Sequence, residues 1–152
     1  MKIRNFCSKE VAVVEPGATL REASLLMRNR HVGALVVAER KDGLLHPVGI
    51  VTDRDIVVAV IAPGARPEAI RVADVMPGKL AVARDSDTVF EALQAMSHHG
   101  VRRLPVVAAD GSLFGIVTAD DLLRVMATEL ASLASALARG GERESAERRE
   151  LS

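Results

Sequence analysis

The sequence contains no tryptophan and no tyrosine, and only three of its 152 residues are phenylalanine. Any core must therefore be aliphatic, and a surface that stacks nucleic-acid bases on exposed rings is disfavoured. Cysteine occurs once, at Cys7. That excludes an internal disulfide, leaves too few ligands for a Cys/His metal cluster, and fits a reducing, cytoplasmic setting. An excess of one charge sign is also missing, since 20 Lys plus Arg stand against 20 Asp plus Glu. A general nucleic-acid binder carries a basic excess or stripe, so neither DNA nor RNA is the expected partner. No apolar run approaches the ~20 residues of a membrane span. The stretch Met1 to Ser8 has no apolar h-region, so secretion is not expected. What is present is 49% hydrophobic and 26% charged, the composition of a soluble globular chain with enough apolar material for a core. The length suits one ordinary domain or two very small ones.

The chain repeats itself. Shifted by 69 residues, Thr19–Ala38 lies over Thr88–Val107 with seven of 20 positions identical. Shifted by 66, Val48–Ile56 lies over Phe114–Leu122 with five of nine identical. The change of offset puts three extra residues in the polar stretch Arg40–Pro47 of the first copy, where a loop would absorb them cheaply. Both copies read alike. A short apolar run (Val11–Val14, Leu80–Ala83) leads to a Thr and a helical pattern. Leu20, Ala23, Ser24 and Met27, and likewise Val89, Ala92, Leu93 and Met96, fall at i, i+3, i+4, i+7. Two strand-like runs follow, Ala34–Ala38 with Pro47–Val51 and Arg103–Val107 with Leu113–Val117. Turns at Lys41-Asp42-Gly43 and Asp110-Gly111 separate them. A second helix closes each copy, at about Asp53–Ile61 and Ala119–Leu137.

The expected fold is thus α/β (α+β), with two pseudo-symmetric β-α-β-β-α repeats packed through their sheets. Residues 1–62 form the first repeat, 63–71 a linker with a short helix from Pro67, and 72–138 the second repeat. The charged tail 139–152, with four Arg, four Glu and two Gly, is expected as a frayed helix end or a disordered segment. A repeat of ~60 residues is a marginal core by itself, so the two should pack together.

The block common to both copies is Gly-Ile-Val-Thr-x-x-Asp, at Gly49–Asp55 and Gly115–Asp121. It sets a strand end, a Thr and a helix start in succession. A Thr followed three residues later by an acid is a helix capping box, and that alone accounts for the spacing. The same geometry also suits a nucleotide. Free amides at a helix start favour phosphate, and a Thr hydroxyl can donate to a phosphate oxygen. A carboxylate accepts from a ribose diol, while Ile50 and Ile116 on the strand edges offer an apolar slot for a base. One Thr can serve both roles.

The ordered set of repeat, Thr…Glu-Ala…Met helix, Val101–Val106 strand and doubled Gly-Ile-Val-Thr-x-x-Asp closely resembles the tandem CBS-domain family, from about Ile3 to Met126. The layout resembles a stand-alone CBS pair, or Bateman module. The resemblance implies a regulatory module without catalysis. It would bind AMP, ADP, ATP, NAD or S-adenosylmethionine in clefts between the repeats and pass occupancy to a partner, as in energy sensing. By similarity, Asp55 and Asp121 hold ribose hydroxyls, and Thr52 and Thr118 contact phosphate or ribose. Arg102 and Arg103 bind phosphates, with Gly33-Ala34 at their positions in the first copy. Arg54 takes the place of a phosphate-binding Lys, and its counterpart is Asp120, so the two clefts should differ. The resemblance also implies a homodimer. No cofactor is required beyond the nucleotide itself, with or without Mg²⁺.

The other reading is a ligand-independent dimeric scaffold in which the Thr-x-x-Asp blocks are only caps. Leu122, Leu123, Val125, Met126, Leu130, Leu133, Ala134 and Leu137 cover more than one helix face, and the surplus points to a second chain. His31, His98 and His99 sit near helix ends. They are read as solvated rather than as phosphate or metal ligands, since adjacent helix residues do not face the same way. Cys7 aligns with Met76 and is read as a packing residue. Ser8, Ser24, Ser86 and Ser97 lack an elbow motif, and no P-loop occurs, so no enzyme constellation is found.

Overall fold

The computed structural model describes residues 1–152, in two compact units, Met1–Thr118 and Ala119–Ser152. The first unit runs β1 (Val13–Val14), α1 (Leu20–Arg30), β2 (Ala34–Lys41), β3 (Leu44–Thr52) and α2 (Asp53–Ile56). It continues with α3 (Val72–Val75), β4 (Ala83–Arg84), α4 (Val89–His99), β5 (Arg103–Val107) and β6 (Leu113–Thr118). A π-helical turn, Val57–Ile61, extends α2, and a 3₁₀ turn begins at Pro67 as the sequence suggested. The second unit is one helix, α5 (Ala119–Glu150). The tail expected to fray or be disordered instead continues this helix.

Helix starts are written in the sequence. Thr19 caps α1, its Oγ1 accepting from the Glu22 amide at 3.1 Å while the Glu22 carboxylate accepts from the Thr19 amide at 2.9 Å. Thr88 and Glu91 repeat this reciprocal pair at the start of α4, at 3.2 and 2.7 Å. Both helices end on a residue in the left-handed region, His31 (φ 53°) and Gly100 (φ 64°). The buried faces are Leu20, Ala23, Met27 and Val89, Ala92, Met96. The other two positions expected on these faces differ. Ser24 is half-buried and donates its hydroxyl to the Leu20 carbonyl at 2.7 Å, and Leu93 is exposed.

Each repeat forms its own three-stranded sheet, in order β1-β2-β3 and β4-β5-β6. The first pair is parallel and the second antiparallel in both sheets. Strand β3 packs against β5 and β6, which joins the sheets. A register shift falls after Val37 in one sheet and after Val106 in the other, leaving Val48 and Phe114 as equivalent bulge residues. The three extra residues of the first copy do not make a longer loop. They lengthen the β2–β3 ladder, where Glu39, Arg40 and Lys41 pair with His46, Leu45 and Leu44. A two-residue turn closes it, with Asp42 and Gly43 both at positive φ (51° and 78°). That is the conformation whose twist matches the flanking strands.

The arms that precede the repeats are exchanged. The Ile3 amide donates to the Asp87 carbonyl and the Arg4 amide to that of Asp85. Correspondingly, Val72 donates to Ala18 and Ala73 to Pro16. Ile3 and Val72 are both fully buried, and Val72 completes the core formed by Val14, Leu20, Ala23, Met27, Leu35, Val37, Val51 and Val60. Residues 2–8 therefore belong structurally with the second repeat and residues 70–76 with the first. This revises the simple succession of blocks expected from the sequence. The physical reason is that backbone hydrogen bonds tie each arm to the loop before the other repeat's first helix, and full burial of Ile3 and Val72 holds the arms there. An ion pair, Arg4 Nη2 to Asp85 Oδ2 at 2.6 Å, reinforces the first arm.

Candidate functional site

Where β2, β3, β5 and β6 meet, a cleft of about 180 Å³ opens in the first unit. Its walls are Val11 and Ala12 before β1, Val32, Ala34 and Val36 around β2, Ile50 on β3, Arg103 on β5, and Ile116 and Thr118 on β6, with Glu10 at the rim. The lining is chiefly aliphatic. Arg103 is its one basic residue and is half-buried. The repeat supplies the cleft from both copies. Ala34 and Arg103 are counterparts at an offset of 69, and Ile50 and Ile116 at 66.

Four of the nine residues singled out by sequence thus meet here, namely Ile50, Arg103, Ile116 and Thr118. Arg102 is exposed and does not line the cleft. Neither do Thr52, Arg54 and Asp55, which belong to the first copy's own strand end and helix start. Sequence reasoning missed the β1–β2 wall from Glu10 to Val36. The parallel pairing that builds it, with the Val36 amide donating to the Ala12 carbonyl at 2.9 Å, leaves no local signature in the chain. The one available signal was Ala34, which falls in register with Arg103.

At the first copy's motif, Thr52 caps α2 in full. Its Oγ1 accepts from the Asp55 amide at 3.2 Å, and Asp55 Oδ2 accepts from the Thr52 amide at 2.9 Å. The capping box read from the sequence is therefore real here. It leaves chemistry to spare, because a carboxylate offers about four acceptor sites and the cap uses one oxygen. Arg54 is exposed. Asp53 closes the same turn by accepting from the Arg54 amide at 2.9 Å. In the helical unit, Asp121 lies in the first turn of α5 and pairs with Arg124 Nη2 at 3.1 Å.

The three histidines near helix ends are exposed, as expected. His31, His98 and His99 are all exposed, and the last two meet edge-on with ring centroids 4.9 Å apart. No group of three or more His, Cys, Asp or Glu side chains is arranged to hold a metal ion. Cys7 is half-buried, packed where a Cβ on Gly115 would come within 3.0 Å of its sulfur. Met76 takes the equivalent place over Gly49. No helix is long and apolar enough to cross a membrane.

The chain is similar to an uncharacterised protein of Methanopyrus kandleri, 33% identical over 125 residues, which cover 82% of this chain and 62% of that protein. It is 37% identical over 120 residues to the CBS domain-containing protein YhcV of Bacillus subtilis, covering 79% of this chain and 81% of that one. Among solved structures it resembles a CBS domain protein from Pyrobaculum aerophilum complexed with AMP, with a TM-score of 0.74 and 25% identity. That match covers 87% of this chain and 99% of the other. The family model for the CBS domain matches twice, at residues 3–62 and 72–128. The chain therefore belongs to the CBS domain family and carries the domain as a pair.

Proposed function

We propose that the chain is a regulatory module that binds an adenosine-containing ligand between its repeats and passes occupancy to a protein partner. The observation that carries this reading is the cleft in which Ile50 and Ile116, one from each repeat, stand beside Arg103 and Thr118. Aliphatic strand edges suit the faces of a purine, and a half-buried guanidinium makes charge-assisted hydrogen bonds to phosphate. The AMP complex of the Pyrobaculum protein supports an adenylate as the ligand class. At about 180 Å³ the cleft is smaller than the ~300–1,000 Å³ that encloses a drug-sized molecule. It therefore houses the base, while ribose and phosphate reach its rim.

Arg103 is assigned to phosphate in preference to Arg102, which is exposed outside the cleft. Asp55 and Asp121 are assigned to ribose hydroxyls, and Thr52 and Thr118 to ribose or phosphate. The first copy's motif and the residues in register with this cleft form the second half-site. There Lys79 replaces Glu10, while Ala34 and Arg103 exchange places, so the two half-sites differ in charge at that rim position. Because a ligand in the cleft touches both repeats, its binding favours one relative arrangement of them, and that is the signal passed on.

Scanning calorimetry against AMP, ADP, ATP, NAD and S-adenosylmethionine, each with and without Mg²⁺, tests this. A ligand at 100 times its dissociation constant adds ~2.7 kcal/mol, or ~5–10 °C in Tm for a chain of this size. Arg103→Ala should weaken a phosphorylated ligand and spare adenosine. Asp55→Ala and Asp121→Ala should each remove one site, and unchanged affinity in both would refute the ribose assignment. The complete Thr52–Asp55 cap favours a second reading, a scaffold that binds no small molecule. A flat calorimetric panel would support it.

A further inference from the structure

The cleft between the repeats carries one acid as well as one base, Glu10 at the rim and Arg103 in the wall. Neither side chain is hydrogen-bonded or ion-paired, to the other or to a third residue. The segment that bears Glu10 is tied to a different repeat at each end. Two residues before it, Ser8 exchanges backbone hydrogen bonds with Ile116 of the cleft wall, both at 2.9 Å. The Ser8 hydroxyl also donates to the Glu10 carbonyl at 3.3 Å. Two residues after it, the Ala12 carbonyl accepts from the Val36 amide at 2.9 Å. The backbone therefore holds the acid at the rim. The neighbouring cation is drawn elsewhere. Lys9 Nζ lies 4.7 Å from the ring centroid of Phe114, a residue outside the cleft lining. In the other copy the same register position is Lys79, so the duplicated fold accepts either sign of charge here.

We propose, resting on the adenosyl-ligand reading above, that Glu10 sets this cleft's ligand preference by charge, holding back nucleoside polyphosphates relative to adenosyl ligands of low or positive net charge. With the base between Ile50 and Ile116, the groups attached to the ribose emerge at the rim where Glu10 stands. Arg103 offers charge-assisted hydrogen bonds to one phosphate. Every negative charge on the ligand is at the same time repelled by the carboxylate, and the repulsion grows as phosphates are added. A carboxylate ~8 Å away in water changes affinity about two- to threefold per unit of ligand charge. A phosphomonoester carries about −1.5 to −2 at pH 7, so the carboxylate weakens AMP about fivefold and ATP more. A neutral nucleoside is unaffected, and a ligand with a positive group beside the ribose is favoured. The acid acts on ligand charge and not on the shape of the slot.

Methyl-detected NMR titration reads this cleft directly, through Val11, Val32 and Val36 in its wall. The ligands form a charge series: S-adenosylmethionine is net positive, adenosine neutral, AMP negative and ATP more so. Glu10→Gln keeps the size of the side chain and removes its charge. It should weaken S-adenosylmethionine about twofold, leave adenosine unchanged, tighten AMP about fivefold and tighten ATP further. In ~1 M salt, where the Debye length is ~3 Å, these differences should collapse. Glu15→Gln removes an exposed carboxylate outside the cleft lining and should change none of the four affinities. A change of the same size and sign for all four ligands in Glu10→Gln would show a structural role and overturn the proposal. So would four unchanged affinities. If no ligand of the series shifts the three valines, in the parent or the variant, the adenosyl reading itself fails and the role of Glu10 falls with it.

Discussion

Gly49 and Gly115 are the same residue of the same motif, yet alanine should have very different effects at the two positions. At Gly115 a Cβ would come within 2.5 Å of the Ser8 carbonyl oxygen and 3.0 Å of Cys7 Sγ. That carbonyl is not free to yield. It accepts from the Ile116 amide at 2.9 Å, and the Ser8 amide donates back to the Ile116 carbonyl at 2.9 Å. Overpacking of this kind costs ~1–3 kcal/mol. Displacing the arm would weaken two backbone hydrogen bonds worth ~0.5–1.5 kcal/mol each. The expected loss for Gly115→Ala is about 3 kcal/mol, or ~6–12 °C in Tm at ~2–4 °C per kcal/mol. At Gly49 the nearest atom is Met76 Sδ at 2.7 Å, the end of an unbranched side chain that can choose another rotamer. Alanine also restricts the unfolded chain, a gain of ~0.4–1 kcal/mol at either site. Gly49→Ala should therefore lie within about 1 kcal/mol of the parent. With no Trp or Tyr in the chain, urea unfolding should be followed by far-ultraviolet circular dichroism. Cys7→Ala should not rescue Gly115→Ala, because the backbone oxygen is the obstacle, whereas Met76→Ala should remove any cost at Gly49. Equal losses at the two glycines would refute the argument that the arms, rather than the strands, require them.

Other consequences can be measured on the same preparations. Ile3→Ala should cost ~2–5 kcal/mol, although it lies near the end of the chain, because Ile3 is fully buried by the exchanged arm; a loss below ~1 kcal/mol on urea unfolding would mean that the arm is not part of the cooperative unit. The Glu91 carboxylate is held below the usual range by the Thr88 amide and then by the Thr88 hydroxyl. Its contribution to stability is therefore complete above the unfolded-state value and is lost as pH falls through the lowered folded value. In Thr88→Ala a carbon-detected NMR titration should show the Glu91 pKa rising only part of the way, since the larger donor, the backbone amide, remains.

The elements were legible because each rests on a local cause. The Thr-x-x-Glu pairs at Thr19 and Thr88 start helices that begin one residue later, and the aliphatic runs between turns became strands. The duplication added a check that a single copy could not, since two segments with the same pattern must serve the same role. What stayed hidden depends on which chain segment meets which. The exchange of arms joins Ile3 to Asp87 and Val72 to Ala18, and no residue type announces that choice. Leu93 has a core-like spacing but is exposed, because helical periodicity marks a face without saying what covers it. Leu130, Leu133 and Leu137 were visible as surplus apolar residues, and all three are exposed on α5. The cleft was half legible. Ile50, Ile116, Arg103 and Thr118 came from the repeated block and its neighbouring strand, but the β1–β2 wall needed the sheet.

The two copies agree and differ in a physically sensible way. Positions that fix the backbone are the same in both. The glycines admit the arms, the isoleucines and valines fill strand edges, and the Thr at each strand end precedes a helix. Positions that are exposed or line the cleft have diverged in charge, with Glu10 against Lys79, Ala34 against Arg103, and Arg54 against Asp120. A change of charge at such a place costs the fold little, since exposed charges contribute weakly to stability. It can nevertheless alter the preference for a phosphorylated ligand severalfold through charge-assisted hydrogen bonds. The capping role of Thr52 and Asp55 belongs to the first class and a ligand role to the second, and one residue can carry both. The cap holds the Asp55 side chain in place by one oxygen, so in the proposed ribose role the carboxylate would be oriented before binding, with little rotamer freedom left to lose.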